Sequence, residues 1–326
     1  MNILITGIHG FVGSNLVEAL REEHTIYGLD IVTPEKPGVL KTFGWSDLAV
    51  IPPMDVVIHL AGVAHDTKNR TEAQRYYDVN TGLTQKVFDW FQTTEAKKFI
   101  FFSSVKAAAD QLFDKVLTED VIPTPVGPYG ESKIAAENYV LGLQLEAKNR
   151  LLAEYEQHEV ITKVQTVYIL RPCMIHGPGN KGNLNLLFNF VRSGIPYPLG
   201  AFENKRSFTS VDNMTYVIER MIALPIPGGI YNIGDDDQVS TNEIIELIAE
   251  SINKKARIWK LPRLLLHFFA SIGSVLHISV FNRDRLQKLT ENYVVSNSKI
   301  KKAIGISRMP VNARDGFRKT FKSFSK

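Results

Sequence analysis

The chain has 326 residues, 44% hydrophobic and 22% charged, the make-up of a globular protein with a sizeable core and room for a second lobe. A net charge of +4 is too small to point to nucleic acid, though a basic cleft for an anionic substrate stays open. Cys173 is the only cysteine, which excludes an internal disulfide and a cysteine-ligated metal cluster; with no signal-peptide pattern before the first apolar run, a reducing, cytoplasmic setting is expected.

From Met1 to Arg171, apolar runs rich in Ile, Val and Phe alternate with helix-patterned segments, the order of a parallel sheet covered on both faces. The first run, 2–6, leads into "TGIHGFVG", where Gly7 and Gly10 precede, and Gly13 lies in the first turn of, a helix predicted over 11–22. Gly7 suits a tight turn, Gly10 lets backbone approach a ligand, and Gly13 lets helix pack on strand. The first amides of such a helix lack partners and its dipole is positive there, so a diphosphate is a natural guest. The second run, 25–30, closes on Asp30, 23 positions beyond Gly7. A carboxylate there accepts both hydroxyls of an adenosine ribose and repels a 2′-phosphate. Turn and acid together predict a dinucleotide, NAD rather than NADP.

Residues 33–54 contain four prolines and little periodicity; the one element expected there is a short strand near 45–50. Further strands are predicted over 55–61, 98–104 and 163–171, with helices over 72–94 and 129–157. Ser103 and Ser104 end the 98–104 strand, and ligands of open α/β sheets bind at the carboxyl ends of the strands. Tyr129 and Lys133 stand four apart at the start of the 129–157 helix, which stacks them on one face. A phenol that titrates near 10 is a poor acid–base group at neutrality; a nearby ammonium, helped by a nicotinamide, lowers that value. The Ser104 hydroxyl can hold the same substrate oxygen that Tyr129 protonates or deprotonates. The implied reaction is proton exchange on an alcohol or ketone oxygen, with NAD taking or giving hydride at the carbon.

After Arg171 the order loosens, and residues 172–326 read as a smaller lobe that carries the substrate site and is partly interleaved with the first. Ser240 and Glu243 have capping-box spacing and predict a helix start. Asp235, Asp236 and Asp237 lie in a loop before that cap and are read as solvated acids, so no metal is expected. From Leu264 to Phe281 no Asp, Glu, Lys or Arg appears, and the run is flanked by Arg263 and Arg283. Its 18 residues touch the lower limit for a membrane span, but His267, His277, three serines and Gly273 oppose insertion. A buried or interface-forming helix is expected instead.

"TGIHGFVG" (6–13), Asp30, "HLAG" (59–62), "VNTGLT" (79–84), "FFSSVKA" (101–107), "YGESK" (129–133) and "RPCMIHGPG" (171–179) together resemble the extended short-chain dehydrogenase/reductase family. More narrowly the chain is similar to the nucleotide-sugar epimerase/dehydratase branch, over nearly its whole length. The resemblance implies an α/β fold: a doubly wound parallel (Rossmann) sheet, 1–171, with a smaller α/β substrate-binding lobe. It implies that Phe11, Val12, Ile31, Leu60, Ala61, Gly62, Asn80, Ser103 and Pro172 join the glycines, Asp30, Tyr129 and Lys133 in holding NAD. Ser104, Tyr129 and Lys133 would perform the redox step. Asn183 and Leu184 would hold a nucleoside diphosphate, UDP being the one the resemblance implies, with Arg206 and either Arg283 or Arg285 on its phosphates. A homodimer through the helices around 81–95 and 129–150 is implied as well.

The chain also departs from the pattern. Many sugar 4-epimerases continue the serine segment into Val-Tyr-Gly; here "SSVKAAAD" puts Lys106 beside the expected site, and His65 lies beyond Gly62. Both features resemble a subgroup of 4-keto-sugar reductases acting on UDP-linked sugars for surface polysaccharides. Val105 and Lys106 stand where dehydratases carry an Asp-Glu pair, which speaks against 4,6-dehydration, while His176 and Met174 replace a tyrosine and an asparagine. The expected function is an NAD-dependent nucleotide-sugar epimerase working by hydride transfer at sugar C4, or the related 4-keto reductase. The alternative is a catalytically silent NAD-binding sensor or scaffold, against which the intact Ser104, Tyr129 and Lys133 stand.

Overall fold

The computed structural model describes residues 1–63, 72–112, 115–156, 165–266 and 283–325. Among them seven strands form one sheet, in the order β10-β7-β5-β4-β1-β2-β3. These are β1 (Asn2–Thr6), β2 (Thr25–Leu29), β3 (Lys41–Phe43), β4 (Val56–His59), β5 (Lys98–Phe102), β7 (Thr166–Pro172) and β10 (Gly229–Ile233). Every neighbouring pair runs parallel. The inner strands are continuously apolar because helices cover both of their faces. On one face Leu16, Val17 and Leu20 of α1 (Phe11–Leu20) and Val217, Ile218 and Met221 of α7 (Val211–Ala223) pack on Ile3, Ile5 and Ile58. On the other, Val87, Phe88 and Phe91 of α3 (Leu83–Thr93) and Ala136 and Val140 of α5 (Gly127–Glu156) pack on Leu4, Val57 and Phe99. The sheet is doubly wound, as expected.

Strand order reverses between β1 and β4, the crevice where such sheets bind ligands. Two local expectations are corrected. The third strand is Lys41–Phe43, beside β2, while Leu48–Val50 form a single 3-10 turn in place of the strand expected near 45–50. The helix expected over 72–94 is α2 (Ala73–Tyr76) and α3 joined by a π-helical turn, Tyr77–Gly82, which bulges the helix at Asn80.

Beyond the sheet, a separate apolar core is built on α6 (Asn183–Arg192), α8 (Thr241–Ser251) and the C-terminal α11 (Ala313–Phe324), around Leu184, Phe188, Ile244, Phe317 and Phe321. Ser240 caps α8 by accepting the Glu243 amide at 3.1 Å, as its spacing predicts. Two further short pairs lie apart from the large sheet: β8 (Met174–His176) pairs with β9 (Phe208–Ser210), and β6 (Val116–Leu117) with β11 (Val294–Val295). Between them and α11 lie α9 (Arg283–Thr290) and α10 (Ser298–Ile304). Two of the three loop acids, Asp235 and Asp236, are not solvated. Asp235 is buried, accepting from the Ser210 amide and hydroxyl and from Asn213 Nδ2, and Asp236 accepts from Asn297, Lys301 and the Met309 amide. They staple β10 to α7 and α10. No described helix is long and apolar enough to cross a membrane. Residues 267–282, most of the charge-free run, and His65 lie outside the described residues.

Candidate active site

The site lies at the carboxyl ends of β1, β4, β5 and β7. Gly7 leaves β1 with φ +66°, where L side chains are strained, and a Cβ on Gly13 would sit 2.6 Å from Gly7 O and 2.8 Å from Ile8 Cα. The turn therefore lies against the first turn of α1, with Phe11 and Val12 in that turn. Gly10 is the N-cap of α1 with no side chain to cap the helix, so the helix-end amides face outward. Asp30 follows β2, and its carboxylate accepts the His9 amide at 3.0 Å and the Ile31 amide at 2.7 Å. Acid and glycine turn are thus adjacent. A backbone cradle that tolerates no Cβ, at the positive end of a helix and beside a carboxylate, fits a dinucleotide diphosphate and its ribose.

Behind the turn runs a buried chain of hydrogen bonds centred on His59. Thr6 Oγ1 accepts the amides of Leu60 (3.1 Å) and Ala61 (3.0 Å), so its proton goes to His59 Nδ1 at 2.7 Å. His59 Nε2 then donates to Thr84 Oγ1 at 3.0 Å, and Thr84 donates to Asn80 O at 2.6 Å. Burial, and secondarily the Lys133 ammonium, push the imidazole down to about 3, so it stays neutral and keeps this tautomer. From Asn80 the chain goes on: Oδ1 accepts the Val63 amide at 2.8 Å and Nδ2 donates to Ser132 Oγ at 3.0 Å. Ser132 in turn donates to Tyr129 O, also at 3.0 Å. The π turn aims Asn80 at both places. A Cβ on Gly62 would meet Asn80 Oδ1 at 2.8 Å and Lys133 Nζ at 3.2 Å, so only glycine leaves this junction open.

Ser104, just past β5, accepts the Lys106 amide at 3.2 Å and caps the short α4 (Val105–Ala108). Its hydroxyl is also hydrogen-bonded to the Tyr129 phenol. Ser103 donates to Glu137, which is held in turn by buried Arg171 through Nη2 at 2.6 Å and Nε at 3.0 Å. That pair fixes the end of β5 to α5 and to β7, where Pro172 is buried. Lys133, one turn after Tyr129, is buried and donates to Phe102 O at 2.9 Å.

Here the electrostatics differ from the sequence expectation. Burial raises the Tyr129 phenol above its usual value, with the Ser104 hydrogen bond acting against it. Burial likewise pushes Lys133 down to about 8, against the pull of the Glu137 carboxylate. Without cofactor, desolvation outweighs the opposing hydrogen bond from Ser104. Proximity was readable from the four-residue spacing, but desolvation was not.

Of the residues expected to meet substrate, Lys106 Nζ donates to Asp110 Oδ1 at 3.0 Å and lies 4.4 Å above the Tyr293 ring. Arg206 is half-buried, donates to Lys288 O at 3.3 Å, and shares its surroundings with Glu291 and Lys106. Neither is a free surface cation. Tyr293 OH donates to Ala109 O at 2.7 Å, which ties the end of α4 to Tyr293, itself bridged to Arg206. Asn183 opens α6, whereas the Leu184 side chain is spent in the lobe's core. Exposed Ile31 follows Asp30 at the rim, and the Arg283 and Arg285 side chains lie outside the described residues. Among the described residues no group of His, Cys, Asp or Glu is arranged for a metal. Sequence reasoning missed His59, Glu137, Arg171 and Asp110. Of these, Glu137, four past Lys133 on the same helix face, and Asp110, four past Lys106, left a readable spacing.

The chain matches the model of the NAD dependent epimerase/dehydratase family over residues 3–234. It is 28% identical to a UDP-glucose 4-epimerase of Vibrio cholerae, over 99% of this chain and 95% of that protein. It is also 28% identical to an N-acetyl-alpha-D-glucosaminyl-diphospho-ditrans,octacis-undecaprenol 4-epimerase of Escherichia coli O157:H7, over 92% of this chain and 85% of that one. A solved UDP-glucuronic acid 4-epimerase from Bacillus cereus, in complex with NAD, superposes with a TM-score of 0.71 at 20% identity, covering 100% and 99% of the two chains, a likeness of fold.

Proposed function

Because this chain belongs to the NAD dependent epimerase/dehydratase family, we propose that it is a nucleotide-sugar 4-epimerase. The observation that carries the reading is the Tyr129–Ser104 hydrogen bond, set over Lys133 at the strand ends beside the glycine turn. NAD would supply the hydride acceptor and donor and, when oxidised, a positive charge beside the phenol. Gly7, Gly10, Phe11, Val12 and Gly13 would cradle its diphosphate, and Asp30 its ribose. Asn80, Gly62 and Lys133 would form the floor of the nicotinamide end.

The sugar C4 hydroxyl would lie against Ser104 Oγ and Tyr129 Oη. Tyr129 would take the hydroxyl proton as the C4–H bond breaks and return it once the sugar has turned its other face. Ser104 would hold the oxygen in both directions, and Lys133 would carry the charge that the phenolate needs. Arg206 and Lys106 would exchange their present carboxylate neighbours, Glu291 and Asp110, for the substrate's diphosphate and sugar. The same proposal includes a homodimer through α3 and α5, which sedimentation velocity tests.

A second reading, a 4-keto-sugar reductase, is favoured by Lys106 beside Ser104. The deciding assay incubates the protein with UDP-glucose, UDP-N-acetylglucosamine, their 4-epimers and a UDP-4-keto sugar. A relative acts on an undecaprenol-linked sugar diphosphate, so N-acetylglucosaminyl-diphospho-undecaprenol joins the panel. Epimerisation without added NADH supports the first reading; NADH consumed one-for-one with the 4-keto sugar supports the second. No turnover with any of them removes both.

A further inference from the structure

The second lobe presents a surface that the proposed reaction leaves unused. From Lys254 to Leu266 the sequence is "KKARIWKLPRLLL", five cations with no Asp or Glu. Residues 257–260 lie extended beside 197–200: the Tyr197 amide donates to Arg257 O, the Trp259 amide to Tyr197 O and the Gly200 amide to Trp259 O, at 2.8 to 3.0 Å. Strand alternation turns Ile258 toward the apolar cluster of Tyr197, Leu199, Ile245, Leu266 and Leu286, and turns Arg257 and Trp259 outward. Trp259 is 57% exposed, Leu264 86% and Leu265 42%.

The cations ring this apolar tip. Lys254 donates to Arg192 O at 3.1 Å and Arg257 to Gly194 O at 3.2 Å, at the rim of a cavity of about 380 Å³ floored by Phe190, Val191, Tyr197 and Ile245. Arg263 donates to Ala201 O at 2.9 Å and covers the Phe202 ring. Their partners are neutral carbonyls, so these three charges remain available. A fourth cation, Lys260, lies 3.8 Å from exposed Glu203.

A tryptophan and two leucines held out of a folded lobe and ringed by lysine and arginine match the interface of an anionic bilayer. There the indole sits at headgroup level, the leucines enter the acyl boundary and the cations meet lipid phosphates. A protein partner fits less well, since interface cores are depleted of lysine. Nucleic acid leaves Leu264 and Leu265 without a role. We propose that residues 254–265, with the rim of the adjoining cavity, dock the protein on the surface of a membrane rich in anionic lipid, without spanning it.

Flotation of the full chain with vesicles tests this, using phosphatidylcholine alone and a 70:30 mixture with phosphatidylglycerol, at 0.1 M salt. Binding is expected to the mixture and not to the neutral vesicles, with the emission of Trp259 shifting to the blue in the wild type and not in Trp259→Phe. Each basic residue near an anionic surface raises partitioning about fivefold, so Lys254→Gln/Lys255→Gln/Arg257→Gln should lower it about a hundredfold. The circular dichroism and NAD-binding heat of that variant should match those of the wild type. Absence of binding to the anionic vesicles, or binding that the triple variant leaves unchanged, overturns the proposal. So does a vesicle-free fall in oligomeric mass in Trp259→Ala, which would assign the face to a second copy.

Discussion

Replacing Lys133 by Met should make the cofactor-free protein more stable at neutral pH. Burial brings this ammonium from 10.5 down to about 8, the Glu137 carboxylate pulling the other way. At about 1.4 kcal/mol per tenfold change, that gap is a penalty of roughly 3 kcal/mol on the charged folded form. The direction follows from proton counting. Below pH 8 both states hold the proton and the folded state bears the whole penalty. Between pH 8 and 10.5 the unfolded chain binds more protons, so stability rises with pH, and above 10.5 the penalty is gone. Met fills similar space without charge but loses the hydrogen bond to Phe102 O, about 1–2 kcal/mol. Lys133→Met should therefore exceed the wild type by about 1–2 kcal/mol at pH 7 and fall below it by a similar amount near pH 10.5. Urea unfolding followed by circular dichroism at pH 7, 8, 9 and 10 measures the difference. A gap between the two proteins that does not change from pH 7 to pH 10 would refute a desolvated ammonium at this position.

Tyr129→Phe should lower kcat by about 10²–10⁴-fold while leaving the heat of NAD binding unchanged, because the ring stays and only the proton carrier goes; unaltered turnover would remove Tyr129 from the chemistry. Glu137→Ala strands the Arg171 guanidinium and the Ser103 hydroxyl, so thermal unfolding should register a loss of about 3–5 kcal/mol. Glu137→Met/Arg171→Met should recover most of that loss, and a double variant as unstable as the single one would show that the pair is not the cause. Gly13→Ala forces a Cβ against Gly7 O and Ile8 Cα, both backbone atoms, and calorimetry should find NAD affinity lowered at least tenfold with substrate-lobe packing intact.

What the sequence made legible were features with a local period or a short spacing. β1, β4, β5 and β7 are continuous apolar runs, and Gly7, Asp30, Tyr129 and Lys133 sit in stretches whose neighbours dictate a turn, a strand end or a helix face. β3 escaped because three residues at a sheet edge, one of them exposed Lys41, carry no period. The π turn escaped because the inward positions Tyr76, Asn80, Thr84, Val87, Phe88 and Phe91 still recur every three or four residues, as in an unbroken helix. Asp235 and Asp236 were misread as solvated because their partners Ser210, Asn213 and Lys301 are distant in sequence. For the same reason the partnership of Glu137 with Arg171, 34 positions apart, is visible only in three dimensions.

The place of β10 has a consequence for how the protein is made. Its five residues complete the sheet against β7, yet the ribosome delivers them long after the rest of that sheet has emerged. For roughly 60 residues of synthesis, several seconds at ~5–20 residues per second, β7 stands as an unpaired edge on a nascent chain. A translation pause placed between the two strands would lengthen that exposure and favour aggregation, and a circular permutant that begins near Gly228 would shorten it.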